Sequence, residues 1–353
     1  MAQLQIVYWR DIPAQVIVKA GRRNVAKREL SLRFTEAIDM CAMRTGAAET
    51  DDYLEEWRRA DPVEVSDDLE AEAQKAADAL ETEYDKQRLV ALVKSGDLEG
   101  LFPSGTRVYI TDVGTDTAET LSAGAKRVTD MGYTAVPHFA SRRLTTKEAL
   151  ETRIKMMTQE AGVTDVLVIG GGLEKEAGEF DASMKVLETG FFDKYGIKHM
   201  GVAGHPEGSP DFSDEVAIEA LKLKQEFHNR SDIELRIVTQ FGFDAEKFTN
   251  WANGLSAHGI DLPVHLGVAG PAKITTLIKF AAMCGVGNSL SFLKKRGGAI
   301  MTMAAGFDPD EIVNPIEENA LSGNSAIKQI HVFPFGGMKK SAEWLKDRGS
   351  WNA

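Results

Sequence analysis

From Arg107 to Leu345 the chain alternates short apolar runs with longer amphipathic ones, and this rhythm constrains the fold more than any other feature. Arg107–Thr111, Thr134–His138, Asp165–Ile169, Lys198–Ala203, Leu235–Gln240, Pro263–Val268 and Gln329–Phe335 read as strands. Thr117–Asp130, Thr146–Ala161, Asp214–Phe227, Ala245–His258 and Pro271–Cys284 read as helices, and a further helix follows the last strand through Leu345. Strands of about five residues separated by helices of about 10–15 mean parallel βαβ units. Right-handed crossovers leave two arrangements, an open doubly wound sheet or a closed barrel. Polar residues and glycines fall at nearly every strand end instead of at one switch point, which favours the barrel. The expected fold is α/β, a (β/α)8 TIM-type barrel. Its first strand is atypical or missing, because Gly100–Thr106, just before Arg107, is short and turn-like.

Residues 1–95 follow a different pattern and read as a small α+β domain, with the barrel taking 96–353. Leu4–Trp9 and Gln15–Lys19 flank Asp11-Ile12-Pro13 and predict paired strands. Phe34–Met43, Thr50–Arg59, Asp67–Tyr84 and Gln87–Lys94 predict helices, the second capped by Thr50. Charge is segregated here: residues 1–44 carry eight Lys/Arg against four Asp/Glu, and residues 51–72 carry ten Asp/Glu against two Arg. Complementary packing of two layers accounts for such blocks, and a docking surface for a partner is the sharper alternative.

The formal net charge of -12 argues against nucleic acid and anionic membranes, both of which require a basic field. The two cysteines, Cys41 and Cys284, form no CxxC pair, which excludes a zinc ribbon or dithiol centre, and no metal site is expected. Both are expected to be buried thiols in a reducing compartment. No run of eighteen apolar residues and no secretory leader are present, so a cytoplasmic protein is expected.

Six strand ends carry the chemistry: Thr111-Asp112, Pro137-His138, Gly170-Gly171-Gly172, Gly204-His205-Pro206-Glu207, Thr239-Gln240 and Leu266-Gly267. Each has a plain structural alternative. A single histidine is more often structural than catalytic, and a glycine run often marks only a tight turn. The repeated placement raises the case for one shared ligand cavity at the carboxyl face. The set supplies neutral donors and acceptors with little fixed charge, and it contains no HExxH, GxSxG or P-loop. Glycine N–H groups suit a phosphate or a flavin edge. A glutamine offers both a donor and an acceptor to a planar heterocycle.

Three strings occur in order at barrel spacing: Ala135-Val136-Pro137-His138-Phe139, Val202-Ala203-Gly204-His205-Pro206-Glu207 and Val238-Thr239-Gln240-Phe241-Gly242-Phe243-Asp244. They resemble the methylenetetrahydrofolate reductase family over about residues 105–350, and T-Q-F-x-F-D is the most specific of them. The resemblance implies a flavoprotein barrel that interconverts 5,10-methylene- and 5-methyltetrahydrofolate by hydride transfer through FAD. It would place Thr111, His138, Gly171, Ala203 and His205 at the flavin, with Gly170 and Gly172 flanking Gly171. Gln240, with Phe241 and Gly267, would face the folate.

The chain departs from the family in three places. Gly170-Gly171-Gly172 stands where the family reads Arg-Gly-Asp, and His205 replaces a tyrosine. No F-E-x-x-P motif, whose glutamate is the family's proposed general acid, precedes Arg107. Asp112, Glu207 and Glu174 are the nearby candidates to replace that acid. The expected partners are a tetrahydrofolate derivative, a protein electron donor or acceptor in the absence of a second nicotinamide motif, and a second copy of the chain in a homo-oligomer. The rival readings are a non-catalytic folate- or flavin-binding module and a scaffold that docks a partner enzyme. Tyr8–Val16 and Tyr53–Arg58 resemble a small bacterial domain labelled a virulence factor.

Overall fold

The computed structural model describes residues 2–21, 24–45, 53–54, 56–95, 98–112, 114, 116–209, 211–284, 286, 306–321 and 325–350. The chain divides into two compact units, Met1–Leu101 and Phe102–Ala353.

In the first unit β1 (Ala2–Trp9) and β2 (Ile12–Ala20) form the antiparallel hairpin that the sequence suggests, with Arg10 at φ 50 in its turn. β3 (Asn24–Glu29) extends β2, and β4 (Trp57–Arg59) and β5 (Val63–Val65) both pair with β1. The helices α1 (Leu32–Thr45), α2 (Leu69–Glu83) and α3 (Lys86–Ser95) follow the periodicity. Trp9, Val16, Val18, Phe34 and Ala73 are buried in their common core.

One sequence expectation fails in this unit. Trp57–Arg59 is a strand and not the end of a helix, because pairing Val7 with Arg59 and Trp9 with Trp57 completes the β1 ladder; Thr50 lies outside the described residues. The charge blocks meet: Arg28 on β3 binds Glu70 on α2 at 2.5 Å, sheet to helix, and Arg10 binds Glu56, beside β4 in the same sheet, at 2.5 Å.

The second unit carries the βα rhythm. Its strands are β6 (Arg107–Ile110), β7 (Thr134–Ala140), β8 (Asp165–Ile169), β9 (His199–Gly204), β10 (Glu234–Gly242), β11 (Val264–Ala269) and β14 (Ile327–Phe333). These seven form one all-parallel sheet in the order β14-β11-β10-β9-β8-β7-β6. The intervening helices are α4 (Ala118–Asp130), α5 (Lys147–Ala161), α6 (Ser183–Leu187), α7 (Phe191–Lys194), α8 (Asp214–Arg230), α9 (Ala245–Gly254) and α10 (Ile274–Met283). Thr117, Thr146, Ser213 and Asp244 cap four of them through side-chain oxygens.

A two-residue pair, β12 (Ala272–Lys273) with β13 (Gly306–Phe307), takes residues expected to open the Pro271–Cys284 helix, which starts instead at Ile274. α11 (Asp310–Leu321) was not legible in the sequence, and α12 (Met338–Asp347) closes the unit. Cys41 is buried as expected, but Cys284 is exposed because it caps the end of α10. No helix among the described residues is long and apolar enough to cross a membrane.

The sheet is strongly curled, and contacts that skip strands show it. Asp165 on β8 pairs with Arg107 on β6 and Arg236 on β10, both at 2.8 Å. Arg236 donates to the Tyr109 hydroxyl on β6 at 3.1 Å. Tyr109 meets His331, on the opposite edge strand, with ring centroids 4.2 Å apart. Such contacts are made only through a concave face, so the sheet wraps a lumen. Seven strands line it among the described residues, and no strand joins β6 to β14.

Candidate active site

Parallel strands run in one direction, so the strand-end residues nominated from the sequence share the carboxyl rim of the curled sheet. The lumen behind that rim has two layers. Toward the amino ends lies the ion-pair set Arg107–Asp165–Arg236, in which the Asp165 and Arg236 side chains are 1% and 5% exposed. Above it sit Tyr109, His138, His265 and His331. Tyr109 contacts His138 edge-on at 6.2 Å as well as His331. Gly201 makes room for Leu167 and Val238 to pack at this level, since a Cβ there would come within 2.8 Å of Leu167 and 2.9 Å of Val238.

Burial holds these imidazoles neutral. It pushes His138 down to about 4, with Asp112 opposing and Arg153 adding to the shift. His265 falls to about 3 through burial and then Arg236 and Arg107. His331 falls to about 3 through burial, His138, His265 and Arg236. Burial also raises Tyr109, against the pull of Arg236. The Nε2 of His138 is buried without a hydrogen-bond partner among the described residues. Tyr109, Asp165, Arg236, His265 and His331 were not nominated from the sequence. Their one sequence signal is polar side chains at alternate positions in otherwise apolar strands, a pattern that marks the inner face of a barrel.

The nominated residues divide by location. Thr111 and His138 line a cleft of about 860 Å³ together with Tyr109, His265 and His331. Asp112 is held in an ion pair with Arg153 at 2.7 Å and accepts from the Gly114 N–H at 2.9 Å. Arg153 also donates to the His138 carbonyl at 2.5 Å, so it clamps the ends of β6 and β7 together. Gly171 takes φ +87 against Ala140, and the Gly170 carbonyl accepts from Ser141 at 3.1 Å and Arg142 at 3.0 Å. The glycine run is therefore a turn packed on β7, followed by a long loop before α6, with Gly172 and Glu174 exposed on it. Ala203 is half-buried on β9, and His205 just beyond it stands edge-on to Phe212 at 5.0 Å, lowered to about 4 by burial and then Lys224.

The Thr239–Gln240–Phe241 segment is the most elaborately held. The β10–β11 register shifts between Val238 and Phe241, so the strand bulges where Gln240 emerges. Thr239 Oγ1 donates to the Gln240 carbonyl at 2.9 Å and accepts from the Gly267 N–H at 2.8 Å. A Cβ at Gly267 would come within 2.6 Å of the Gln240 carbonyl, so only glycine allows this approach. Gln240 Oε1 accepts from the Phe241 N–H at 3.2 Å. Phe241 is 0% exposed, against Phe243, Phe333 and Phe335, so it anchors the bulge and presents no surface to a ligand. Glu207 is half-buried beside the strand end, its Oε1 2.7 Å from where a Cβ at Gly242 would lie. Asp244 caps α9, accepting from the Lys247 N–H at 3.0 Å.

Every residue of the T-Q-F-x-F-D string thus has a task at one strand end, and the match to known proteins covers that string. Residues 86–295 match the family described as Methylenetetrahydrofolate reductase. This chain belongs to the methylenetetrahydrofolate reductase family. Residues 7–93 match a domain described as Virulence factor. Methylenetetrahydrofolate reductase 1 of Schizosaccharomyces pombe is 30% identical over 182 residues, 48% of this chain and 28% of that protein. The 5,10-methylenetetrahydrofolate reductase of Pectobacterium carotovorum subsp. carotovorum is 28% identical over 163 residues, 44% of this chain and 50% of that protein. Methylenetetrahydrofolate reductase 2 of Saccharomyces cerevisiae is 32% identical over 98 residues, 28% of this chain and 15% of that protein. The matches span at most half the length of these relatives.

Proposed function

We propose that this chain is a cytoplasmic flavoenzyme that binds FAD and a tetrahydrofolate at the carboxyl rim of a TIM-type barrel. It would interconvert 5-methyl- and 5,10-methylenetetrahydrofolate by hydride transfer, with a protein as electron partner. The Gln240 bulge carries this reading: a neutral amide, braced by Thr239, Gly267 and Phe241, is held at a strand end over a lumen whose histidines are neutral. That surface suits a planar uncharged heterocycle.

The residues present fit a flavin. His138 offers an unpartnered buried nitrogen, Thr111, Gly170, Gly171, Gly172 and Ala203 offer small side chains and backbone groups at the same rim, and His205 a neutral ring. Bound FAD supplies a ring that accepts or returns hydride, and the protein's part is to orient the two rings. Gln240 would hold the pterin edge, with Gly267 fixing its position. Of the candidate acids, Asp112 is committed to Arg153 and Glu174 is exposed on its loop. Glu207, beside the strand end that carries Gln240, is best placed to hold the proton for the folate nitrogen.

One observation favours a second reading. The carboxylate nearest His138 is locked in an ion pair, which is what a binding module without an acid would show. Anaerobic titration separates the two. The purified protein loaded with FAD should bleach when 5-methyltetrahydrofolate is added. Retained flavin colour would leave a binding module, and failure to take up FAD would defeat the flavoenzyme reading.

A further inference from the structure

We infer that Arg143 binds a carboxylate of the tetrahydrofolate's glutamate tail, at the outer edge of the rim and across from Gln240. This rests on the folate reading and adds to it the residue that receives the ligand's charged end.

Arg143 closes the 3-10 turn Ser141–Arg143, which follows directly on β7, the strand that carries His138. The two arginines of that turn go opposite ways. Arg142 braces the loop after β8: its backbone N–H donates to the Gly170 carbonyl at 3.0 Å, and its guanidinium donates to the carbonyls of Leu173 at 3.1 Å and Asp181 at 3.2 Å. Arg143 reaches toward the end of β6 instead. Its Nη1 stands 4.0 Å from Asp112 Oδ1 and lies over Gly114, where a Cβ would come within 1.9 Å of it.

The carboxylate that Arg143 approaches is already matched. Asp112 pairs with Arg153 at 2.7 Å and accepts from the Gly114 N–H at 2.9 Å. Among the described residues Asp112 is the one carboxylate within ion-pair distance of either arginine, so two guanidinium groups share one negative charge. Arg153 is the buried partner, at 10% exposure, and it also donates to the His138 carbonyl. Arg143 is the surplus cation. Its side chain is 28% exposed, and it donates no hydrogen bond among the described residues. A guanidinium is a planar fork of donors that fits two oxygens on one centre, so its free face suits a carboxylate or a phosphate.

Gln240 decides between the sources of such an anion. A tetrahydrofolate has a neutral pterin at one end and glutamate carboxylates at the other, and the Gln240 amide suits the neutral end. β7 lies three strands from β10 in the sheet, an arc of about 14 Å at about 4.8 Å per strand. The p-aminobenzoyl spacer of a folate carries its tail across a span of that order. The phosphates of FAD share the same chemistry and are the competing source.

The test is anaerobic calorimetric titration of the FAD-saturated protein with tetrahydrofolate and with its diamide, in which both glutamyl carboxylates are neutral carboxamides. Neither ligand carries a one-carbon group, so no hydride moves during the measurement. Tetrahydrofolate should bind about 10–100-fold more tightly than the diamide, the worth of hydrogen bonds to a charged group. Arg143→Gln should bind both ligands with the diamide's affinity. Equal affinities in the unaltered protein overturn the inference and leave the folate reading standing, whereas binding of neither ligand defeats both. That comparison needs no variant, so it decides even where Arg143→Gln does not fold. An Arg143→Gln protein that keeps the preference overturns the inference by putting the tail elsewhere. Loss of FAD uptake in that variant, with the preference intact, overturns it by making Arg143 a phosphate ligand.

Discussion

Tyr109 and His331 stand on the first and last strands of the parallel sheet, yet their rings meet edge to face with centroids 4.2 Å apart. That contact turns seven strands into a lumen. It also links the rim to the charged floor, because the Tyr109 hydroxyl accepts from Arg236 and Arg236 pairs with Asp165.

The floor should dominate stability. Asp165→Ala leaves Arg236 buried with no counter-ion, which costs about 3–5 kcal/mol. Urea unfolding reads this as a lowered midpoint at constant slope. A loss below about 1 kcal/mol would mean that water enters the floor and screens the arginines.

Acid should weaken the fold through the lumen histidines. His138, His265 and His331 have folded values of about 4, 3 and 3 against an ordinary 6.5. The unfolded chain therefore binds more protons as pH drops below about 6.5, and stability is full above that value. Each histidine removes about 1.4 kcal/mol per pH unit until its own folded value is reached. Melting temperature should fall steeply between about pH 6.5 and 4.5, and His331→Gln should flatten the slope. A melting temperature that ignores pH across that range would contradict the burial.

Lys224 on α8 is 6% exposed, and burial lowers it to about 8. Its folded value lies below the ordinary 10.5, so its charged form destabilises the fold fully below pH about 8 and progressively less above it. Lys224→Met should stabilise the protein by about 1–3 kcal/mol near neutrality, a gain that shrinks toward pH about 10. Equal stability of the two proteins at pH 7 would show that the ammonium reaches water.

Gln240→Ala should weaken binding of 5-methyltetrahydrofolate by about 10–100-fold, the worth of one or two lost hydrogen bonds, while FAD content is retained. Equilibrium titration of each ligand separates the two effects. Loss of FAD with folate binding intact would reverse the assignment of the two ligands.

Gly267→Ala places a methyl group 2.6 Å from the Gln240 carbonyl. It should cost about 1–3 kcal/mol by overpacking, and it should weaken folate binding much as Gln240→Ala does, since the bulge must move. Unchanged folate affinity in a folded Gly267→Ala protein would detach the bulge from the site.

Much of this was legible without coordinates. The strands at Arg107, Thr134, Asp165 and Glu234 announce themselves by apolar runs bounded by turn residues, and the helices after them by longer amphipathic runs. Asp112 shows the limit: its place at a strand end was readable, but its partner Arg153, 41 residues away, was not. Phe241 shows another, because a signature string does not say which of its members face a ligand and which brace the one that does.

Local periodicity by itself determined the βα rhythm, the parallel sheet and the rim on which the polar residues gather, because hydrophobic spacing and capping act over a few residues. Only the tertiary structure decided how far the sheet curls, where two arginines find one aspartate, and that Tyr109 closes on His331. These depend on strand stagger and side-chain reach across a lumen, and residues 222 positions apart, such as Arg107 and Gln329, become neighbours only when the whole sheet is in place.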